Sequence, residues 1–381
     1  MTWLLLLFAA ASHAQTARAA EVRASDEGMR VSDVKEGKFK GHQYGNQSFI
    51  LDNGLVRYVL SYHAYVDPSL GDKVLQDDEG YLGLPGPASC NWYAGGFLFI
   101  RANGRDIGDV RPASIRTVEN GERGLAQILW LAPEGQVRFR FLLEPGSDYL
   151  ACEVAAEPAK DLKDLSLTFR CYPSFFTGWF KRDGGRQAIG PAALVEQGQT
   201  ADLDPAKDSW LLYQDTVFDV AKNPKDSEGP CALLYLPEQV QSVRVAPSSY
   251  PVTTDVAVKP AGGKVRFAVW EFPKKTNADA LQRMRSGAAA VLDRLRGLDF
   301  TDRSVARFDV AKERADLEAQ LAKASDAAGF RKTVAPLLDQ IAAALAARHG
   351  GDLAAEDKAS QLIAQYREAS WDLKFDALLS D

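Results

Sequence analysis

The sequence predicts a mainly β fold: a large antiparallel two-sheet supersandwich followed by a small α-helical bundle. Three observations predict it. Apolar residues alternate in short runs through most of the chain. Turns rich in Gly, Pro, Asn and Asp punctuate those runs at steps of ~10 residues, the spacing of a sandwich or barrel. After Phe272-Pro273 the apolar period changes from two to that of a helix.

In chain order, Leu4–Ala11 is a short apolar run followed by the small-x-small triplets Ser12-His13-Ala14 and Ala17-Arg18-Ala19. The run is far shorter than the ~20 residues a membrane span needs. It reads as a signal peptide over residues 1–20, although Met1-Thr2-Trp3 brings no basic residue. Export to a periplasmic or extracellular space is the expectation, with no membrane span in the mature chain. Glu21–Gln47 is polar and glycine-dotted, a mobile lead-in or an edge strand.

Phe49–Leu60 (FILDNGLVRYVL) carries Asp52-Asn53-Gly54 between two apolar runs, a tight-turn signature. Ser61–Asp67 continues into a loop rich in rings, Asp72–Cys90 is turn-rich, and Asn91–Arg101 returns to strand. Strands are then expected at Ile115–Val118, Leu125–Leu131, Val137–Leu143, Tyr149–Ala155 and Leu165–Cys171. After a less regular stretch, Leu194–Trp210, they resume at Leu211–Val220, Ala232–Leu236, Val240–Val245, Asp255–Lys259 and Val265–Phe272. About fifteen strands exceed one immunoglobulin-like domain and suit a single large sandwich over residues 21–274.

Residues 275–381 read as helices. Asn277 is expected to cap Ala278–Leu298, and further helices follow at Val305–Ala324, Phe330–His349 and Ala354–Leu379. Their apolar stripes must be buried, on each other or on the sandwich. Such helices also offer a surface for self-association or for another chain.

A two-sheet sandwich that opens on ILDNGLVRYVL and closes on VRFAVWEF resembles the galactose-mutarotase-like supersandwich over about residues 45–272. That family covers aldose epimerases and the β-domains of several polysaccharide lyases and glycosidases. The resemblance implies two histidines and a late glutamate as proton carriers. His63 and Glu271 fill two of those places, with Tyr62 beside His63, and no second histidine follows within the sandwich. That departure argues against sugar epimerisation. The lyases also carry a large helical toroid, usually ahead of the sandwich, whereas here the helices come last.

The residues themselves offer a ligand surface. Leu165–Arg186 runs from an alternating strand through Phe175, Phe176, Trp179 and Phe180 into Lys181, Arg182, Asp183 and two glycines. Rings stack on the apolar face of a pyranose, and Arg or Asp bonds its hydroxyls. Phe176, Trp179, Arg182, Asp183 and Arg186, with Trp92, are therefore candidates for a saccharide site; the same rings can instead plug one end of the sandwich. His63 can act as a general base or be a hydrogen-bonded structural residue.

The formal charge of −6 excludes the basic excess of a nucleic-acid surface. Asp77-Asp78-Glu79 and Asp202-x-Asp204 do not complete a calcium loop. No zinc motif, phosphate loop or dinucleotide fingerprint occurs. No metal or cofactor is expected. Cys90, Cys152, Cys171 and Cys231 are either paired, with Cys152 and Cys171 able to face each other, or buried thiols. Three functions stand: a non-catalytic carbohydrate-binding protein, an epimerase-like or lyase-like enzyme, and a cell-envelope interaction protein acting through its helices.

Overall fold

The computed structural model describes residues 21–66, 74–75, 80–88, 91–133, 135–158, 161–175, 184–218, 229–348 and 352–379. The strands begin with β1 (Arg23–Asp26), β2 (Arg30–Asp33), β3 (Gln43–Asp52), β4 (Arg57–Val66), β5 (Val74–Leu75), β6 (Leu82–Gly86) and β7 (Leu98–Ala102). They continue with β8 (Arg105–Asp106), β9 (Pro112–Glu119), β10 (Gly124–Ala132), β11 (Gly135–Leu143), β12 (Tyr149–Glu157), β13 (Leu165–Cys171) and β14 (Arg186–Ile189). The last are β15 (Leu194–Glu196), β16 (Ala201–Leu203), β17 (Trp210–Asp215), β18 (Cys231–Tyr235), β19 (Val240–Pro247), β20 (Val252–Val258) and β21 (Lys264–Glu271).

They form two antiparallel sheets. The twelve-stranded sheet runs β1-β3-β4-β6-β7-β13-β20-β19-β16, with β2 on β3, β5 on β4 and β8 on β7. The nine-stranded sheet runs β15-β14-β17-β18-β21-β12-β11-β10-β9. The expected two-sheet supersandwich is therefore present. The expected lead-in, Glu21–Gln47, supplies β1, β2 and the first half of β3.

Burial along the strands shows which faces are covered. In β13 every second residue is buried, so the twelve-stranded sheet is packed on one side. In β21 both sets are buried: Val265, Phe267 and Val269 enter the core between the sheets, while Ala268, Trp270 and Phe272 pack outward against the helices. This is why VRFAVWEF is apolar almost throughout. Each fully buried Val or Phe in this set contributes roughly 1.5–3 kcal/mol relative to exposure.

Five helices follow: α1 (Asn277–Gly297), α2 (Arg303–Ala306), α3 (Val310–Leu321), α4 (Ala327–Ala347) and α5 (Leu353–Leu379). Thr276, one residue before the expected cap, accepts from Asp279 N, while the Asn277 side chain donates to Asp215 O. Met284, Ala288, Val291, Leu292 and Leu295 of α1 lie on the nine-stranded sheet. Gly287 permits this approach, because a Cβ there would stand 3.2 Å from Trp270 Cη2. The second expected helix is split into α2 and α3, since Asp309 turns its carboxylate onto Ala311 N and Lys312 N and starts a new helix. Helices α2 to α5 share a core that includes Leu317, Leu338, Ile341, Ile363, Tyr366 and Leu373. Pro336 lies inside α4.

Charged pairs join this bundle to the sheet. Arg116 bonds Asp357 at 2.8 Å, and Arg138 bonds Glu356 at 3.0 Å. The described helices thus close the outer face of the nine-stranded sheet, and none of them packs on the outer face of the twelve-stranded sheet. No helix among the described residues is long and apolar enough to cross a membrane.

Candidate functional site

The open face carries a ring-lined cleft. Strands β3 and β4 pair Tyr44 with Tyr65, Asn46 with His63 and Ser48 with Ser61. Because Phe49, Leu51, Tyr58, Leu60 and Tyr62 point into the core, alternation puts Tyr44, Asn46, Ser61, His63 and Tyr65 on the other side. The Tyr44 and Tyr65 ring centroids lie 5.2 Å apart, Tyr44 and His63 6.1 Å, and Phe39 stacks on Tyr65 at 4.2 Å.

Two further elements wall the cleft. The end of β2 brings Ser32 and Asp33. The turn 91–96 crosses the sheet over β6 and brings Ala94 and Gly95. Gly83 makes that crossing possible, since a Cβ there would lie 1.7 Å from Ala94 O. The cleft is open to solvent and its volume is about 420 Å3. Phenol rings present apolar faces, while imidazole, amide, hydroxyl and carboxylate groups present donors and acceptors around them. That combination suits a flat, hydroxyl-rimmed ligand.

A second ring group lies beyond the same turn. Tyr93 packs edge-on to Tyr172 at 4.7 Å, and Tyr172 to Tyr250 at 4.8 Å. Burial, then the bond to Tyr250, pushes the Tyr172 phenol well above its ordinary range. The Arg170 guanidinium sits 4.4 Å over the Phe99 ring.

The residues singled out in the sequence are dispersed. Phe176, Trp179, Arg182 and Asp183 lie outside the described residues. Trp92, expected at a ligand surface, is fully buried instead, edge-on to Tyr213 at 5.6 Å. A bridge to Cys171 fixes it there and turns its indole into the core. Arg186 is also fully buried; Nη1 donates to Ser249 O at 2.7 Å. Burial lowers its pKa, and the Asp215 carboxylate opposes that shift.

Tyr62 and His63 are neighbours in β4 and so face opposite sides, Tyr62 inward and His63 into the cleft. Glu271 belongs to the other sheet. Its Oε2 accepts from Asn91 Nδ2 at 3.0 Å, and burial raises its pKa to about 8 against the bonds from Asn91 and Ala88. Glu271 borders a different cleft, beside Pro273 and Lys275. The structure does not bring His63, Tyr62 and Glu271 to one point.

Cys152, Cys171 and Cys231 are buried thiols, and Cys90 lies outside the described residues. Cys152 and Cys171 stand on different sheets and form no disulfide. Among the described residues no group of three or more His, Cys, Asp or Glu gathers in a way that could hold a metal ion.

Sequence reasoning missed Tyr44, Asn46 and Phe39. The alternation from Phe49 backwards through Gln47 and Gly45 was the available signal, since it assigns Tyr44 and Asn46 to the face opposite the core.

No protein-family profile matches the chain, and no curated protein matches it. Among solved structures it is similar to a Klebsiella pneumoniae protein assigned as an aldose 1-epimerase, with 9% identity and a TM-score of 0.32 over 72% of this chain and 95% of that one. It is also similar to a GH36 α-galactosidase from Geobacillus stearothermophilus, with 10% identity and a TM-score of 0.29 over 60% of this chain and 41% of that one. The chain thus spans about two fifths of the galactosidase. At such scores neither likeness bears on chemistry.

Proposed function

We propose that this protein binds a saccharide or polysaccharide chain on the open face of its twelve-stranded sheet, without turning it over, and that it does so after export. One observation carries the reading: Tyr44, Tyr65 and His63 stand with Asn46, Ser61 and Asp33 in a single cleft on the face that none of the described helices covers. A pyranose would lay its C–H face on a phenol ring and share its hydroxyls among the polar groups. Tyr93 and the exposed Tyr250, both packed on the buried Tyr172, would extend contact along a longer chain. The non-catalytic part is supported by the separation of His63 from Glu271. A general acid and base must both reach one substrate, and these two border different clefts. Export is supported by the Leu4–Ala11 run and the small residues after it.

The test is affinity electrophoresis of the full chain in native gels that contain a panel of neutral and acidic polysaccharides. Retardation is expected in at least one gel and is relieved by Tyr65→Ala. No retardation in any gel, or retardation that Tyr65→Ala and Tyr44→Ala leave unchanged, contradicts the reading.

A second reading, self-association through the helices, is favoured by the end of α5. Trp371 (69% exposed), Phe375 (57%) and Leu378 (71%) recur at helical spacing on its solvent side. Light scattering would return a mass above the monomer, and Trp371→Glu would restore it. A monomeric wild type contradicts this.

A further inference from the structure

The two sheets are joined at one end of the sandwich, where β13 of the twelve-stranded sheet stops and β18 of the nine-stranded sheet starts. Stacked sheets ordinarily lie ~10 Å apart. Here the backbone itself connects them: Ser174 N, just after β13, donates to Gly229 O, just before β18, at 3.0 Å. Asn91 reinforces the junction. Its Oδ1 accepts from Ser174 N at 3.0 Å, and its backbone O accepts from Tyr172 N at 2.9 Å. Its Nδ2 donates to Glu271, the residue paired with Cys231.

Two cysteines stand inside this junction, Cys171 at the end of β13 and Cys231 at the start of β18. Both are buried in the core between the sheets. Their neighbours place them at one level. Trp92 forms a bridge with Cys171 and packs edge-on to Tyr213, and Tyr213 is the partner of Cys231 across β17 and β18. The Tyr213 hydroxyl and Thr254 Oγ1, 2.8 Å apart, tie the two sheets together beside them. The two thiols are in hydrogen-bond contact. Burial, then that bond, pushes the Cys231 thiol well above its ordinary range. Cys152 is two strands from Cys231, on β12, and its register aligns it with Phe267 and Tyr235 instead.

We infer that Cys171 and Cys231 become an inter-sheet disulfide when the chain folds in the presence of a disulfide oxidant such as oxidised glutathione. The thiolate of one cysteine attacks the oxidant's S–S bond and expels one glutathione thiolate. The second cysteine then attacks the protein sulfur of the mixed disulfide and expels the other. Two electrons and two protons pass from the protein to glutathione, leaving one S–S bond and two molecules of reduced glutathione. Exchange needs a thiolate, so it belongs to the stage before the sheets close over the pair. The bond closes a loop of about 60 residues in the unfolded chain, which favours the folded state, and burial shields it from reductants. Only the cellular source of the oxidant rests on the proposed export; the pairing does not.

The experiment is refolding of the full chain from urea in a glutathione redox buffer, alkylation of the remaining thiols under denaturing conditions, and peptide mass mapping without reduction. A linked peptide pair that carries Cys171 and Cys231 is expected, lost on reduction, with Cys152 alkylated. The oxidised protein should melt roughly 5–10 °C above the reduced one. In Cys171→Ala and in Cys231→Ala the oxidised and reduced midpoints should coincide. Should either variant fail to fold, the wild-type map and its reduced control decide alone. Complete alkylation of both cysteines after oxidative refolding overturns the inference. So do a link from either of them to Cys90 or Cys152, a lasting glutathione adduct on either one, or equal midpoints for the oxidised and reduced wild type.

Discussion

Arg140 Nη2 lies 3.0 Å from Glu356 Oε1, and this contact fastens the last helix to the nine-stranded sheet. Arg138 Nη1 holds the other carboxylate oxygen at 3.0 Å, and Arg140 also bonds Gln127 Oε1 and Phe300 O. Burial alone would raise the Glu356 carboxyl. Arg140 and Arg138 outweigh it and hold the pKa at about 2. Glu356→Ala strands two buried guanidiniums, and we expect it to cost about 3–5 kcal/mol in denaturant unfolding. The pH dependence has a fixed sign. As pH falls from about 4.5 toward 2 the unfolded chain takes up a proton at Glu356 and the folded chain does not, so this stabilisation is lost across that window. Hydrogen-exchange protection factors of α5, taken relative to the intrinsic rate at each pH, should therefore fall between pH 5 and pH 3 in the wild type by more than those of α1.

Glu271 behaves in the opposite way. Its folded pKa of about 8 stands above its ordinary value because it is buried. Between about pH 4.5 and 8 the folded protein keeps a proton that the unfolded chain has released, so stability falls as pH rises through that window. Glu271→Gln keeps an acceptor for Asn91 Nδ2 and cannot ionise. It should remove a few kcal/mol of pH-dependent loss and raise the thermal midpoint at pH 8 more than at pH 5. Identical pH profiles for the two proteins would refute the assignment.

Gly83 sets the position of the turn that walls the cleft. Gly83→Ala places a Cβ against Ala94 O, which is backbone and must shift. The expected cost is about 1–3 kcal/mol, with polysaccharide retention reduced even where the variant is fully folded. Retention equal to the wild type in a folded variant would remove the 91–96 turn from the site.

Trp92→Ala, in contrast, should act on stability. Its indole fills the core between Phe97, Phe169 and Tyr213, and its loss should cost about 3–5 kcal/mol. Below the lowered unfolding midpoint, retention should match the wild type.

These contrasts show what was readable in the chain. Strand rhythm reveals the two sheets, because period-two burial is written in residues such as Leu165, Leu167 and Phe169. The change after Phe272 reveals the helices for the same reason. Which face stays open was legible only indirectly. β21 is apolar on both sides and β13 on one, yet nothing local says that helices arriving more than a hundred residues after β13 will choose the nine-stranded sheet. Trp92 and Arg186 looked like surface groups since both adjoin turns. Their direction is set by tertiary contacts, the bridge to Cys171 and the bond to Ser249, which local pattern does not encode. Tyr62-His63 looked like one unit, and strand alternation alone was enough to divide it.

The most direct test of saccharide binding is saturation-transfer NMR between the protein's aromatic protons and a fragment of whichever polysaccharide retards it. Stacking on Tyr44 and Tyr65 predicts transfer concentrated on the C–H protons of one pyranose face, abolished by Tyr65→Ala and preserved by Glu271→Gln. Absence of transfer, or transfer that survives the loss of the Tyr65 ring, would contradict the account.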